Sequence, residues 1–353
     1  MALKKQKHAY QSESLFQKRL RRFRSLKRGY FSFLLIIALY VGSFFCPLIF
    51  NHKALIVKYE GKYYFPVSNY YPGKDFGQDL YGEANYRELD KQFESDGKGN
   101  WVIMPVYPFG PLESLTDPSG SPPNKPSVNH WFGTDDRGRD VFVRLAYGFN
   151  ISLSFSLLVT SIGYLIGISI GASLGYFGGK YDILMQRFIE IWGSMPMIYM
   201  VIIISSVLRP DFVLLVFLLC LTAWVGMTYF MRGEFYREKS KDYVHAAIAM
   251  GATDKTIVFK HILPNALVPI ITFLPFSIIG GISSLVGLDF LGFGLQPPTP
   301  SWGELVNQGM ANIFSWWLVL FPLGAMFCTL LMVVFIGESI RQAFDPREFS
   351  RLR

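Results

Sequence analysis

The residues that could carry out bond chemistry are few and far apart. The five histidines, His8, His52, His130, His245 and His261, are scattered along the chain, and no H-E-x-x-H pair places two of them on one helix face, so a three-ligand metal site is not expected. Cys46, Cys220 and Cys328 lie in apolar runs away from any histidine and read as small buried hydrophobes rather than as a disulfide framework or zinc ligands. Gly179-Lys180 is followed by Tyr181 and lacks the upstream glycine of a phosphate-binding loop. Energy from a nucleotide would have to reach this chain through a partner. One acidic residue stands deep in an apolar run: Asp289, in a segment also holding Pro269, Pro275, Gly280, Gly281 and Gly287. Charge is expensive in hydrocarbon and marks a functional position by default. Those residues suggest irregular backbone lining a cavity. Two roles stay open for Asp289: it faces the cavity and meets a cationic group, or it caps backbone amides around Gly292 and Gly294.

A second concentration of informative residues is polar and lies between apolar runs, from Arg232 to Asn265. It contains Tyr243, Ala246, Ala247, Gly251, Asp254, His261, Leu263 and Pro264 in the spacing A-A-x3-G-x9-H-x-L-P. Ala246 with Met250 and Ala247 with Gly251 are i, i+4 pairs, which would gather small side chains on one face of a short helix and leave room for another protein. Thr253 or Asp254 can cap a following helix, with Pro264 as its limit.

The elements that hold these residues are apolar. Of 353 residues, 51% are hydrophobic and 17% charged, a balance outside that of ordinary soluble domains. A bilayer core takes about 20 residues of helix, and six stretches meet that need: 30–50, one within 145–179, 191–208, 212–231, 262–288, and one within 305–337 starting near Trp316. The expected fold is an all-α polytopic membrane protein. The first apolar run is too long for a secretory signal, has a 29-residue basic arm before it and lacks a small-x-small cleavage site, so it reads as an anchor.

Lys and Arg in short loops set orientation. Residues 1–29 hold ten, residues 232–264 six and the tail 338–353 four, against only Arg209 in the short connections opposite. Both termini are therefore expected in the cytoplasm. The formal charge of +8 is read as this topology signal and not as nucleic-acid binding. The long segment 51–144 falls outside the membrane. Seven tyrosines lie between Tyr59 and Tyr86, Glu60-Gly61 suits a two-residue hairpin, and the proline-rich stretch 105–126 returns the chain to the bilayer. This segment reads as a packed cap or as a docking surface for a soluble partner. Gly163, Gly167, Gly171 and Gly175 recur every four residues, a smooth stripe for close helix approach, either within the chain or toward a second membrane subunit.

The A-A-x3-G-x9-H-x-L-P spacing is similar to the coupling motif of permease subunits of ATP-binding-cassette importers. His130 to Asp140, Gly175 to Gly179 with Asp182 and Arg187, and Phe290 to Gly303 resemble the oligopeptide/dipeptide/nickel permease family over 29–346. The tyrosine-rich insertion, and Asp289 where most of that family has serine, resemble the subclass that includes the microcin C uptake permease. The resemblance implies a type I importer fold with six transmembrane helices and an extracytoplasmic insertion after the first: basic arm 1–29, first helix 30–50, insertion 51–144, core 145–337 with coupling loop 232–264, tail 338–353. It implies a bacterial inner-membrane protein that imports peptides or peptide-like compounds by alternating access. It implies, as partners besides membrane lipid, a second related permease, ATPase subunits separate or fused, and a periplasmic solute-binding protein. No cofactor is expected on this chain; ATP and magnesium belong to the ATPase. His245 departs from the acidic residue common at its place in many importers, so no salt bridge is assumed there. A self-sufficient secondary transporter would more often carry acidic or histidine relays in several spans, and a membrane-embedded enzyme would turn over substrate alone.

Overall fold

The structure is a computed structural model that describes residues 15–97, 99–115 and 120–344. The rest of the basic arm and of the tail, and Ser119 within the proline-rich stretch, lie outside the described residues.

The chain begins with a basic helix α1 (Leu15–Ser25), followed by α2 (Lys27–Ser43) and a single turn α3 (Cys46–Ile49). The expected first span of 30–50 therefore starts earlier and ends at Ser43, because Phe44 and Phe45 form a turn before Pro47 opens α3. Gly29 brings α2 against Ser339 near the end of the last helix.

The segment after α3 folds on its own apolar core. Strands β1 (Ile56–Tyr59) and β2 (Lys62–Tyr64) pair antiparallel across Glu60 and Gly61. Both turn residues have positive φ, 49° and 78°, as a type I′ turn requires. A third strand β3 (Trp101–Ile103) pairs with the other edge of β1, giving the order β2-β1-β3. Helix α4 (Tyr86–Asp96) is capped by the Asn85 side chain and buries Tyr86, Leu89 and Phe93. The tyrosines divide between packed and exposed positions. Tyr59 stacks on Phe93 at 5.6 Å and Tyr64 meets Phe76 edge-on at 5.1 Å, whereas Tyr63, Tyr70 and Tyr81 are exposed, Tyr81 to 96%.

Helix α5 (Val141–Phe177) follows, capped by Asp140. Its 37 residues reach about 55 Å at 1.5 Å per residue, well beyond a hydrocarbon core. The continuous span expected at 191–208 is absent. Instead α6 (Gly179–Gly193) and α7 (Met197–Val207) meet at a 59° bend, because Pro196 has no N–H to continue α6 and disfavours helix in the residue before it. Helix α8 (Phe212–Lys239) is capped by Asp211. Helix α9 (Asp242–Ala249) and one turn, α10 (Asp254–Thr256), lead into a π-helical turn Ile257–Ile262 and then α11 (Leu263–Phe290). Pro264 stands in the first turn of α11 and limits nothing, since a first-turn proline lacks only an N–H that needs no partner in its own helix. Pro269 and Pro275 likewise lie inside an unbroken helix. The irregular backbone expected around Asp289 is confined to the residues after Phe290, because in-membrane prolines are tolerated where neighbouring groups take over the freed hydrogen bonds. Helices α12 (Trp302–Ala311) and α13 (Trp317–Phe344) complete the chain. Cys46 and Cys220 are buried, but Cys328 is exposed on α13.

Among the described residues, four helical stretches are long and apolar enough to cross a membrane: Val141–Phe177, Phe212–Lys239, Asp254–Phe290 and Trp317–Phe344. The number rises to six if each bent pair, α1 with α2 and α6 with α7, makes one span.

The glycine stripe of α5 packs inside the chain, against α8. A Cβ on Gly163 would stand 3.0 Å from the Ala223 Cβ, one on Gly167 2.7 Å from the Trp224 carbonyl, one on Gly171 2.5 Å from the Thr228 carbonyl and one on Gly175 2.5 Å from the Phe235 Cβ. Gly171→Leu should therefore destabilise the fold by about 1–3 kcal/mol or more through overpacking. Gly226→Ala on α8, where a Cβ meets nothing within 4 Å, should not. Thermal unfolding of the two purified variants separates them; equal melting would disprove the close contact.

Candidate functional site

Three regions place the sequence-derived residues. The first is the end of α11. Asp289 is buried, and its carboxylate accepts from the Leu295 N–H at 2.7 Å and from the Ser301 hydroxyl at 2.5 Å. Both contacts come from backbone and hydroxyl donors of the residues after Phe290, the surroundings that the capping role of Asp289 calls for. Ser301 also caps α12 by accepting from the Glu304 N–H. Glu304 in turn joins Arg144 at 2.5 Å and Arg139 at 3.1 Å, and Arg139 meets Asp135 at 2.6 Å. Arg144, fully buried, also donates to the carbonyls of Pro111, Pro298 and Thr299. Burial pulls the Arg139 guanidinium down, but Asp135 and Glu304 outweigh that and hold its pKa above the ordinary arginine value. Two cations and two carboxylates thereby fasten the start of α5 to α12 and to the loop after α11. Sequence reasoning quoted Arg139 and missed Arg144 and Glu304 as a unit.

The second region is a cleft of about 240 Å³ between α5, α7, α8 and α11. Thr160 and Tyr164 from α5, Thr222 from α8, and Ser277, Gly280 and Ser284 from α11 line it. The Tyr164 and Ser277 hydroxyls lie 2.8 Å apart, and the lining contains no charged side chain. Hydroxyls both donate and accept hydrogen bonds, so this wall can meet amide N–H and C=O groups without fixing the charge of a solute. Sequence reasoning named Gly280 only as a mark of irregular backbone and did not name the hydroxyl-bearing residues. The available signal was Ser277, Gly280, Gly281 and Ser284 at helical spacing inside an apolar run. Gly163, at one end of the packing stripe, also lines the cleft.

The third region is the polar segment after α8. Val244, Ile257 and Ile262 are buried under it together with Phe235 and Met231 of α8. Ala247 faces this core while Ala246 is exposed, so the two alanines do not share the small-residue face expected of them. Gly251 is not on the helix face either. It has φ of +78° and ends α9: its N–H bonds to the Ile248 carbonyl and the Ala252 N–H to the Ala247 carbonyl, the paired bonds of a Schellman cap. Tyr243 donates to Glu238 at 2.8 Å and receives from Asn265; partial burial, with Glu238 holding the proton, raises its pKa. Asn265 also donates to the His261 carbonyl. Asp254 accepts from Tyr176 of α5 at 2.5 Å. Leu263 and Pro264 lie in the first turn of α11. The face turned away from the protein carries Ala246, Ile248, Met250 and Phe259, the last two exposed to 81% and 62%.

Comparison with known proteins converges on one group. Residues 163–350 match the family described as "Binding-protein-dependent transport system inner membrane component", which takes in the glycine stripe, the polar segment and Asp289. The chain belongs to this family. The chain is similar to the "Inner membrane ABC transporter permease protein YejE" of Escherichia coli (strain K12), 40% identical over 94% of this chain and 97% of that protein. It is 38% identical to the "Peptidoglycan transport system permease protein YejE" of Agrobacterium fabrum, over 95% of this chain and 94% of that protein. It is 36% identical to the "Dipeptide transport system permease protein DppC" of Bacillus subtilis, over 70% and 78%.

The geometry gives Asp289 a testable role. Asp289→Ala would leave the Leu295 N–H without its buried acceptor, at about 1–3 kcal/mol. Membrane abundance should fall, and uptake of a neutral and a cationic peptide, normalised to abundance, should change alike. Selective loss of the cationic peptide would instead put the carboxylate in the solute path.

Proposed function

We propose that this chain is the transmembrane permease subunit of an ATP-binding-cassette importer that carries peptides or peptide-like compounds across the bacterial inner membrane by alternating access. The observation that carries the reading is its likeness, along nearly its whole length, to permeases of this kind. The uncharged hydroxyl-lined cleft supports it, because peptides of differing side chains share only their amide groups. Microcin C-like compounds and the peptidoglycan and dipeptide solutes in the relatives' names all offer such groups.

In this reading the protein has the type I importer fold with six spans, α2 being the first and the bent pair α6–α7 the third. ATP and magnesium are used by partner ATPase subunits, which dock on the exposed face of α9. The ordered contacts of Tyr243, Asp254 and Asn265 make that face a firm platform whose motion reaches α5 and α11. A second, related permease covers the exposed small residues Gly280, Ser284 and Gly287 of α11 and so closes the cleft. A solute-binding protein meets the outer segment, where Tyr63, Tyr70 and Tyr81 are exposed. Both termini are cytoplasmic, as the Lys and Arg distribution requires.

Two measurements test this reading. Ala246→Arg puts a long charged side chain on the exposed face of α9 without touching its buried side, so the protein should insert normally but lose the ATPase on co-purification and lose uptake. Retained ATPase would refute the docking face. Ser68 is exposed, and Ser68→Cys, in a chain whose Cys328 is replaced by serine, should react with an impermeant thiol reagent while the cytoplasmic membrane is intact. Reaction only after that membrane is permeabilised would invert the topology.

A further inference from the structure

Helix α1 turns 94° from α2. With α2 crossing the bilayer, α1 lies along the membrane surface, and it carries Lys18, Arg19, Arg21, Arg22 and Arg24. Basic residues on an in-plane helix are suited to anionic lipid. The helix does not lie on the surface alone. A cavity of about 580 Å³ opens between its Arg19, the ends of α8 and α13, and the first turns of α11. Arg19, Arg237 and Arg341 all line it, with Gln342, Thr272 and Phe344.

These guanidinium groups are only partly occupied. Arg19 lies over the Phe344 ring at 4.8 Å, which fixes its position. No salt bridge joins it to a carboxylate among the described residues. Arg237 pairs with Glu234, with Glu238 at 4.0 Å, and Arg341 pairs with Glu338 at 3.3 Å. Those pairs are local to single helices, with the arginine side chains 60% and 67% exposed, and such pairs hold weakly. A guanidinium has five N–H donors, so donors remain on all three arginines. Three planar forks around one cavity match a phosphate group. A basic pocket between helix ends at a membrane surface recognises an anionic head group, and the apolar Val268 and Pro269 on the same wall can meet the start of an acyl chain.

We propose that Arg19, Arg237 and Arg341 form a binding site for the head group of an anionic phospholipid, which clamps α1 to the ends of α8 and α13. The site rests on α2 spanning a bilayer and does not depend on which solute is transported.

The test uses the full chain in detergent, titrated with phosphatidylglycerol and read by native mass spectrometry. Phosphatidylglycerol should bind more tightly than phosphatidylcholine, with affinity falling as salt is raised. It should weaken about fivefold for each arginine replaced in the series from Arg19→Gln to the triple variant with Arg237→Gln and Arg341→Gln. Arg19→Gln alone, a change on a surface helix, keeps the test available where the triple variant does not fold. Arg187→Gln, which removes an exposed cation outside the cavity, should leave binding unchanged. Equal binding of the two lipids, equal binding by wild type and Arg19→Gln, or an equal loss in Arg187→Gln would overturn the site. Displacement of the lipid by an equimolar amount of glycerol 3-phosphate would overturn the lipid and leave a site for free phosphate esters. Lipid binding is measured without uptake, so failure of the transport reading and failure of this one give different results.

Discussion

The close approach of α5 and α8 is the constraint on which the rest of the molecule hangs. Within hydrocarbon there is little hydrophobic drive to bring helices together, and packing at short range has to supply the cohesion. Four glycines one turn apart remove the side chains that would hold the two backbones at ordinary distance, and α8 fills the space with carbonyl groups and the Cβ atoms of Met227, Met231 and Phe235. The seam runs from one functional region to another. Gly163 lines the hydroxyl cleft. At the other end Gly175 precedes Tyr176, whose hydroxyl holds Asp254 of the polar segment. Beside that end, Asp182 of α6 takes a two-point contact from Arg232 of α8, both at 2.6 Å. The cleft and the polar segment are thus both attached to one close-packed pair of helices.

At the start of α5 a different interaction does the fastening. Asp135, Arg139, Arg144 and Glu304 are nearly removed from solvent, where an unpaired charge would be costly and a complete network is stable. The network is neutral within itself; backbone carbonyls take the Arg144 terminal N–H groups, while its Nε stands 3.5 Å from Asp135 without a hydrogen bond. Asp289 extends it through Ser301 into the loop after α11. The start of α5, the end of α11 and the start of α12 are therefore one polar assembly, and Asp289, an acidic residue in an apolar run, is one of its ties.

Much of this was legible in the sequence where the signal is local. Glu60-Gly61 announced its hairpin, the four-residue glycine period announced a helix seam, and the charge-free runs located four long helices. The third strand and α4 were not legible, since Trp101-Val102-Ile103 is too short to show alternation and α4 is a mostly polar surface helix. Continuity of apolar residues across Ser194-Met195-Pro196 concealed the bend between α6 and α7. In the polar segment the small residues were found but their geometry was not. Ala246 and Ala247 fall on different sides of α9, and Gly251 serves the helix end. The cleft was hidden for a different reason: its hydroxyls come from three helices, from Thr160 of α5 to Ser284 of α11, and no single stretch contains them. The buried charge cluster had a readable trace in Ser301-x-x-Glu304, a capping box at the start of α12.

The unbroken run from Asp254 to Phe290 has a mechanical meaning. Its 37 residues make a rod about 55 Å long, with prolines that do not hinge it. The rod is held near Ile278, whose carbonyl accepts from Ser156 of α5 at 2.6 Å, with Gly281 resting on the same serine. Tyr176 of the same helix α5 holds Asp254 at the start of the rod, about 36 Å from the Ser156 contact, so α5 grips the rod at two points far apart and a displacement of the polar segment has to carry α5 and α11 together as one body.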